Sequence, residues 1–321
     1  MRLVPFIRRV CKPVAVLLSL VICVVGSVHL VGCSTTQKAD SARVRLLCSF
    51  YPIYIMALNI TDGVDGVQLD VMAPNQTGCL HDYQLQTEDM KNLESADGFL
   101  INGAGMESFL DKVTQELPEL TVVDSSTGIP LIAAGETHSH DHESHEQSEE
   151  EEEVNPHLWV SISNCIQQVN NLTEGICQLD PAYADSYRAN AQAYTDKLSS
   201  LRDEMHAQLD GLPNRDIITF HEAFPYFAEE FDLNIAAVVN REPDSEPSAK
   251  ELADTILLVR STNVKALFVE PQYPTTSAEI VANETSAAVY VLDPAVSGDM
   301  DKDAYLHTME QNLQVLRQAL A

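Results

Sequence analysis

The segment Pro181–Gly211 is the feature of this sequence that most constrains its fold. Asp180 can cap a helix that starts with Pro181, and Gly211 can end that helix. The residues between them are rich in Ala, Tyr, Leu, Gln and charged side chains, whereas a flexible linker would be rich in Gly, Ser or Pro. About thirty helical residues would measure about 45 Å. The sequence therefore predicts a rigid rod that joins the parts of the chain on either side.

Short apolar runs alternate with helical patterns on both sides of this rod. The runs are Val44–Phe50, Val67–Ala73, Gly98–Asn102 and Leu120–Val123 before it, and Asp216–Phe220, Asn234–Val239, Lys265–Val269 and Ala288–Leu292 after it. Helices are predicted to start at Thr87, at the capping box Ser248–Glu251 and near Asp303. Such alternation predicts an α/β fold with mostly parallel sheets. We expect two lobes, 44–178 and 213–321, joined by one long rigid helix in 179–212.

Residues 1–33 have the pattern of a secretory signal. Four basic residues precede an uncharged apolar run, Pro13–Gly32, which ends at Cys33. This ending resembles the bacterial lipobox, in which the cysteine becomes the lipid-carrying first residue. We predict a signal peptide over 1–33, a lipid (palmitate) anchor at Cys33, a tether over 34–43 and a folded part on the extracytoplasmic side of the cell membrane. An uncleaved membrane anchor is the alternative, because about 20 apolar residues can span a bilayer.

The charge balance excludes one class of partner. With 19 Lys and Arg against 48 Asp and Glu, the chain has a formal net charge of −29. Phosphate backbones repel such a chain, so no nucleic-acid partner is expected. Cations are the ligands that this excess favours.

Four cysteines follow Cys33, namely Cys48, Cys79, Cys165 and Cys177. An even number outside the cytoplasm permits disulfides without requiring them. Cys165 and Cys177 lie on one predicted helix, about 18 Å apart, so they cannot pair with each other.

Residues 136–153 read ETHSHDHESHEQSEEEEE and contain nine acids and no Lys or Arg. The four histidines of this loop are His138, His140, His142 and His145. Without apolar side chains for a core, the loop is expected to be mobile. Alternating imidazoles and carboxylates favour weak collection of divalent cations such as zinc, and a merely solvating acidic loop is the alternative.

Other histidines and acids follow predicted strands or loops, and His157 opens a predicted helix. These residues are His81, His157, His221, Glu270 and Asp293. In open α/β sheets, ligands bind outside the carboxyl ends of the strands, so these side chains could meet across a cleft between the lobes. Each histidine alone could equally be a cap or a core residue. His206 and His307, within helices, are expected at the surface.

Several motifs together resemble one family of proteins. The motifs are LHDYQLQTEDM, ADGFLINGAGMESFL, NPHLW, TFHEAFPYFAEEFDL, EPSAKELADTI, LFVEPQY and VLDP. They are similar to the metal-binding lipoproteins of bacterial ABC importers of the cluster 9 (TroA-like or ZnuA-like) class, which carry zinc or manganese. The resemblance implies two α/β lobes on a single backbone helix, with the metal in the cleft between them.

The resemblance also implies a set of metal ligands. Carried over by motif, the ligands are His81, His157, His221 and Asp293. Histidine at position 221 favours zinc, because manganese-type members usually have Glu there, and manganese prefers more oxygen ligands. Leu80 stands where some zinc members have Glu, which makes Asp293 the expected fourth ligand. Glu270 or water is the alternative fourth ligand, a Cys79 thiolate is a lesser one, and Glu222 is expected to point away or to support the site.

The resemblance predicts a transport receptor that is not an enzyme. We expect it to bind Zn²⁺ as cargo outside the cell and to deliver it to a separate ABC permease with its ATPase, as a monomer held at the membrane by its lipid. The alternatives are a receptor of the same type for manganese or another divalent metal, a zinc-dependent hydrolase, and a surface adhesin or zinc-sequestering lipoprotein. The sequence contains no HExxH motif, which would have supported the hydrolase.

Overall fold

Four parallel strands form the sheet of the first half of the molecule. They are β1 (Val44–Cys48), β2 (Val67–Val71), β3 (Gly98–Ile101) and β4 (Thr121–Asp124), in the order β2-β1-β3-β4. The computed structural model describes residues 42–73, 79–80, 83–135, 153–239, 247–262 and 264–321. The helices between the strands are α1 (Tyr51–Ile60), α2 (Thr87–Ser95) and α3 (Leu110–Glu116). Leu46 and Phe99 of the central strands are fully buried, because helices cover both faces of the sheet.

The second half repeats this architecture. Its strands are β5 (Asp216–Thr219), β6 (Asn234–Val238), β7 (Ala266–Val269) and β8 (Ala288–Val291), all parallel, in the order β6-β5-β7-β8. All eight predicted runs form strands, each within two residues of its predicted ends. The α/β fold with two lobes of parallel sheet is therefore confirmed.

Two consecutive helices separate the sheets. They are α4 (Ile162–Leu179) and α5 (Ala184–Leu209), with a 3-10 turn, Pro181–Tyr183, between them. The 26 residues of α5 make a rod of about 39 Å. The predicted rigid helix is confirmed, although its first turn is 3-10 and the α-helix begins at Ala184. Asp180 ties this corner to the first lobe, since its carboxylate accepts hydrogen bonds from Arg43 (2.8 Å) and the Tyr187 hydroxyl (2.6 Å).

The remaining helices surround the second sheet and return to the first half. They are α6 (Pro225–Glu230), α7 (Ala249–Thr262), α8 (Thr276–Glu284) and α9 (Ala304–Leu320). The predicted capping box of α7 is present, because Ser248 N donates to Glu251 Oε2 (2.7 Å) and Glu251 N donates to Ser248 Oγ (3.3 Å). Helix α9 packs on α5 and α1, so the end of the chain closes against the first half.

One continuous apolar core runs through both halves. It includes Phe50 and Trp159 of the first half, whose ring centroids lie 5.1 Å apart at 84°, together with Phe227 and Phe268 of the second. A smaller cluster around Ile218 and the helices α7 and α8 stabilises the second sheet alone. The lobes thus pack together along the helices. The carboxyl ends of the strands lie outside this packing and can hold a ligand.

The signal peptide with its lipid anchor, and the alternative of an uncleaved membrane anchor, both concern the start of the chain. Within the described ranges, no helix is both long enough and apolar enough to cross a bilayer. Residues 1–41 lie outside the described residues, and with them the predicted signal peptide, Cys33 and most of the tether.

Candidate metal centre

His157 is held at the end of the first sheet by its own motif. Asn155 Oδ1 accepts hydrogen bonds from both the backbone N (3.0 Å) and Nδ1 (3.1 Å) of His157. Asn102, which follows β3, donates from Nδ2 to the carbonyl of Pro156 at 2.9 Å. The imidazole is 2% exposed, so its position is fixed by buried partners. Because Nδ1 donates to Asn155, the lone pair of the ring is on Nε2.

His221 comes directly after β5 and is fixed in the same way. Its Nδ1 lies 2.7 Å from Glu270 Oε1, and both side chains are 2% exposed. Glu270 itself follows β7, the strand beside β5. A carboxylate on Nδ1 directs Nε2 of His221 away from it, and this is how metal-binding histidines are commonly oriented.

The two histidines meet where the halves of the chain touch. Their ring centroids are 4.9 Å apart, with an interplanar angle of 86°. Trp159, two residues after His157, donates from Nε1 to the carbonyl of Pro294 at 2.7 Å, and the Tyr305 hydroxyl donates to the carbonyl of Trp159 at 2.8 Å. The first half is therefore bound to the second beside both imidazoles.

Cys79 completes the cluster. Its Sγ lies 3.4 Å from Nε2 of His157. One ligand atom from each of Cys79, His157 and His221 lies within 4.8 Å of the others. Burial raises the pKa of the Cys79 thiol well above its ordinary value, and the Glu270 carboxylate raises it further. Two imidazoles and a sulfur are donors that suit zinc.

Asp293 lies beside this cluster, outside the described group of mutually close ligand atoms. Its Oδ1 accepts a hydrogen bond from the backbone N of Ala295 at 2.8 Å, and its backbone is held by Asn312. Burial raises the pKa of the half-buried Asp293 carboxyl above its ordinary value, and the charge of Glu270 adds to this. Two acids near two imidazoles make this region attractive to a cation.

The other predicted residues have separate positions. Glu222 points away from the cluster, since its Oε1 accepts from the backbone N of Gly135 at 2.7 Å. His307 is exposed and His206 is partly exposed, as predicted. His81, His138, His140, His142 and His145 lie outside the described residues.

The roles of Asn155 and Cys79 are not predicted from the sequence. The position of Asn155, two residues before His157, is typical of a side chain that folds back on the backbone. The contact of Cys79 with His157 joins residues 78 positions apart, so no local pattern predicts it. Cys48, Cys79, Cys165 and Cys177 are all free, and Cys165 and Cys177 share α4 as predicted.

Comparison with known proteins agrees with this fold. Residues 46–319 match the family described as ZnuA, zinc-uptake complex component A, periplasmic. The chain is 31% identical over 298 residues to the zinc-binding protein AdcA of Streptococcus pyogenes serotype M1, which covers 88% of this chain and 57% of that protein. It is 30% identical over 296 residues to the high-affinity zinc uptake system protein ZnuA of Bacillus subtilis, covering 89% of this chain and 91% of that one. The chain thus spans little more than half the length of the AdcA relatives that it matches.

Solved structures share the architecture. The SBP FpvC from Pseudomonas aeruginosa, solved in complex with Mn²⁺, superposes with a TM-score of 0.74 and 30% identity. The match covers 87% of this chain and 98% of that one.

Proposed function

Because the chain belongs to the ZnuA family of zinc-uptake components, we propose that it is an extracytoplasmic receptor for Zn²⁺. It delivers the ion to an ABC-type permease, which a separate ATPase drives. Two relatives that cover most of this chain are named for zinc binding or zinc uptake, which supports zinc as the cargo.

One observation carries this proposal most directly. Two buried imidazoles from different halves of the chain lie with their ring centroids 4.9 Å apart, and each is oriented through Nδ1 by a second side chain. Core histidines need no such pairing, whereas neutral imidazoles fixed by outer partners are the usual ligands of zinc. His157 and His221 are the proposed ligands from described residues, and His81 of the HDY motif is the third.

Glu270 and Asp293 have supporting roles in this proposal. Glu270 acts on His221 through Nδ1, and Asp293 adds negative charge beside the cluster. A divalent cation would relieve the repulsion between the buried Glu270 carboxylate and the half-buried Asp293 carboxylate. Zinc is then cargo that is held and released, and no catalytic role is assigned to it.

Delivery requires a position near the permease. We propose that a lipid on Cys33 anchors the monomer to the membrane, and that His138, His140, His142 and His145 collect zinc for the site. Manganese remains the second candidate cargo, because the similar FpvC was solved with Mn²⁺.

Zinc titration by calorimetry, with elemental analysis of the purified mature protein, tests the proposal. We expect one tight zinc per chain, and an affinity at least about tenfold lower in His157→Ala because a buried ligand is removed. His307→Ala, a change at an exposed histidine of α9, is the matched control. Equal affinity of the His157→Ala variant and the unmodified protein would contradict the site, and a tight manganese site that excludes zinc would contradict the cargo. A deletion strain that grows normally under zinc starvation would contradict the transport role.

A further inference from the structure

We propose that Cys79 binds the metal directly as a thiolate and gives the site its preference for zinc over manganese. This inference rests on the proposed function of the cleft as a metal receptor and adds a ligand to it. The HDY, NPHLW and HEAF motifs do not include this residue.

The distance between Cys79 and His157 already matches a coordinated ion. Across a tetrahedral zinc, with Zn–S of about 2.3 Å and Zn–N of about 2.0 Å, sulfur and nitrogen lie about 3.5 Å apart. Cys79 Sγ and His157 Nε2 are 3.4 Å apart. The donor atom of His221 is within 4.8 Å of both, so a contraction of at most about 1.5 Å would bring all three around one ion.

The orientation of the imidazoles also favours a shared ion. Asn155 and Glu270 occupy the two Nδ1 positions, which leaves Nε2 as the coordinating atom of each ring. Nε2 of His157 is the atom that faces the sulfur.

The neighbouring residue holds Cys79 in this position. Leu80 is fully buried in the apolar core, and its carbonyl accepts a hydrogen bond from Tyr83 N at 3.0 Å. Leu80 lies at a bend whose carbonyl is tied to Tyr83 N, and its buried side chain fixes the backbone next to Cys79. The sulfur is therefore placed by the fold of the chain around it.

One oxygen of each nearby carboxylate is held by another partner, whereas Oε2 of Glu270 is buried without a hydrogen bond to any described residue. Glu270 Oε1 accepts from His221, and Asp293 Oδ1 accepts from the backbone of Ala295. The described donors closest to one another are thus two nitrogens and one sulfur. Soft thiolate sulfur favours zinc, cobalt and cadmium, whereas manganese favours several oxygens, so this donor set selects against manganese.

Cobalt substitution tests the proposal, because thiolate-bound Co²⁺ has an intense near-ultraviolet charge-transfer band that imidazole-bound Co²⁺ lacks. The metal-free mature protein is titrated with Co²⁺ alone, alongside Cys79→Ser and the control Cys177→Ser, the same change in a buried cysteine of α4. We expect the band in the unmodified protein and in Cys177→Ser, and its loss in Cys79→Ser. Bound cobalt without the band in the unmodified protein would overturn the proposal, as would an unchanged band in Cys79→Ser.

Two further measurements keep the result independent of the variant's folding. In the unmodified protein, one equivalent of zinc should protect Cys79 from alkylation, as mapped by mass spectrometry, and equal alkylation with and without zinc would refute ligation. In competition titrations, the ratio of zinc to manganese affinity should fall about tenfold or more in Cys79→Ser, and an unchanged ratio would refute the role in selectivity. If no protein binds stoichiometric zinc or cobalt, the proposed receptor function itself fails; if the metal binds without the sulfur, only this inference fails.

Discussion

At the scale of single residues, the site depends on the side chains that hold its histidines. Asn155 and Glu270 each accept a hydrogen bond from Nδ1 of an imidazole, and both side chains are buried. Such partners fix the ring and raise its basicity toward a metal. Binding should therefore respond to changes at residues that do not touch the ion.

Glu270→Gln tests this dependence. The amide keeps the size of the side chain but removes the charge that faces His221, so the zinc affinity should fall by about tenfold or more. Calorimetric zinc titration measures the change, with Glu310→Gln on the exposed face of α9 as the control. If both variants bind like the unmodified protein, Glu270 does not orient His221 for a metal.

Glu107 is a second buried acid, and it stabilises the turn after β3. Its carboxylate accepts from Asn102 N (2.8 Å) and Gly103 N (3.0 Å) and is 4% exposed. Gly103 has a φ of +78°, and a Cβ there would meet Asp124 Oδ1, so the turn requires glycine. Burial raises the pKa of Glu107 to about 7.

This raised pKa predicts how stability depends on pH. The unfolded carboxyl has a pKa of about 4.3, so between there and about 7 the folded chain binds the proton that the unfolded chain loses. The contribution of Glu107 to the free energy of unfolding should therefore decrease as pH rises through this window, by at most about 1.4 kcal/mol per unit. Urea unfolding of the metal-free protein from pH 5 to 8 should be less pH-dependent in Glu107→Gln than in the exposed control Glu116→Gln. If the free energy of unfolding changes equally with pH in the two variants, the raised pKa of Glu107 is contradicted.

At the scale of elements, the start of α4 joins the two halves. Ser161 caps this helix by accepting from Asn164 N at 3.2 Å. Glu230, from α6 of the second half, accepts from the backbone N of Ile162 (2.7 Å) and of Ser163 (3.0 Å). A carboxylate at a helix N-terminus is stabilising because it meets unpaired N–H groups and the positive end of the helix dipole.

Glu230→Gln should lower the free energy of unfolding by about 1–2 kcal/mol, because one charged acceptor of two backbone donors becomes a neutral amide. Glu229→Gln is the matched control, an exposed neighbour on the same helix. Urea unfolding of both variants measures the difference. A similar small effect in the two would mean that this contact adds no stability.

Elements were predictable from the sequence to different degrees. The strands were found because β-branched runs such as Ile217–Thr219 are buried on both faces, and the capping box at Ser248 was found because its chemistry is local. The first turn of the linking helix was predicted as α-helix but is 3-10, since Asp180 binds Arg43 and Tyr187 instead of capping that turn. The convergence of Cys79 with His157 depends on the packing of distant loops, so no local pattern contains it.

At the scale of the whole molecule, the residues on either side of the His- and Glu-rich loop lie next to each other. Ala133 and Val154 form an antiparallel bridge, and Ala134 N donates to the carbonyl of Glu153 at 2.7 Å. Tyr226 of the second half adds a hydrogen bond to each side, through Ile132 N (3.0 Å) and the carbonyl of Asn155 (2.8 Å). The ends of the loop are thus held together by described residues outside 136–152.

Replacing residues 136–152 by three glycine or serine residues should therefore leave the fold and the tight site intact. The described donors, Cys79, His157 and His221, all lie outside the replaced segment. Zinc at about a hundredfold excess over its dissociation constant should still stabilise the shortened protein by about 2.7 kcal/mol, as in the full chain, because only the folded state binds it. Thermal unfolding with and without zinc measures this, and elemental analysis should show one tight zinc and fewer weakly bound ions. Loss of the zinc-dependent stabilisation in the shortened protein, with its metal-free stability unchanged, would place the tight ligands in the loop.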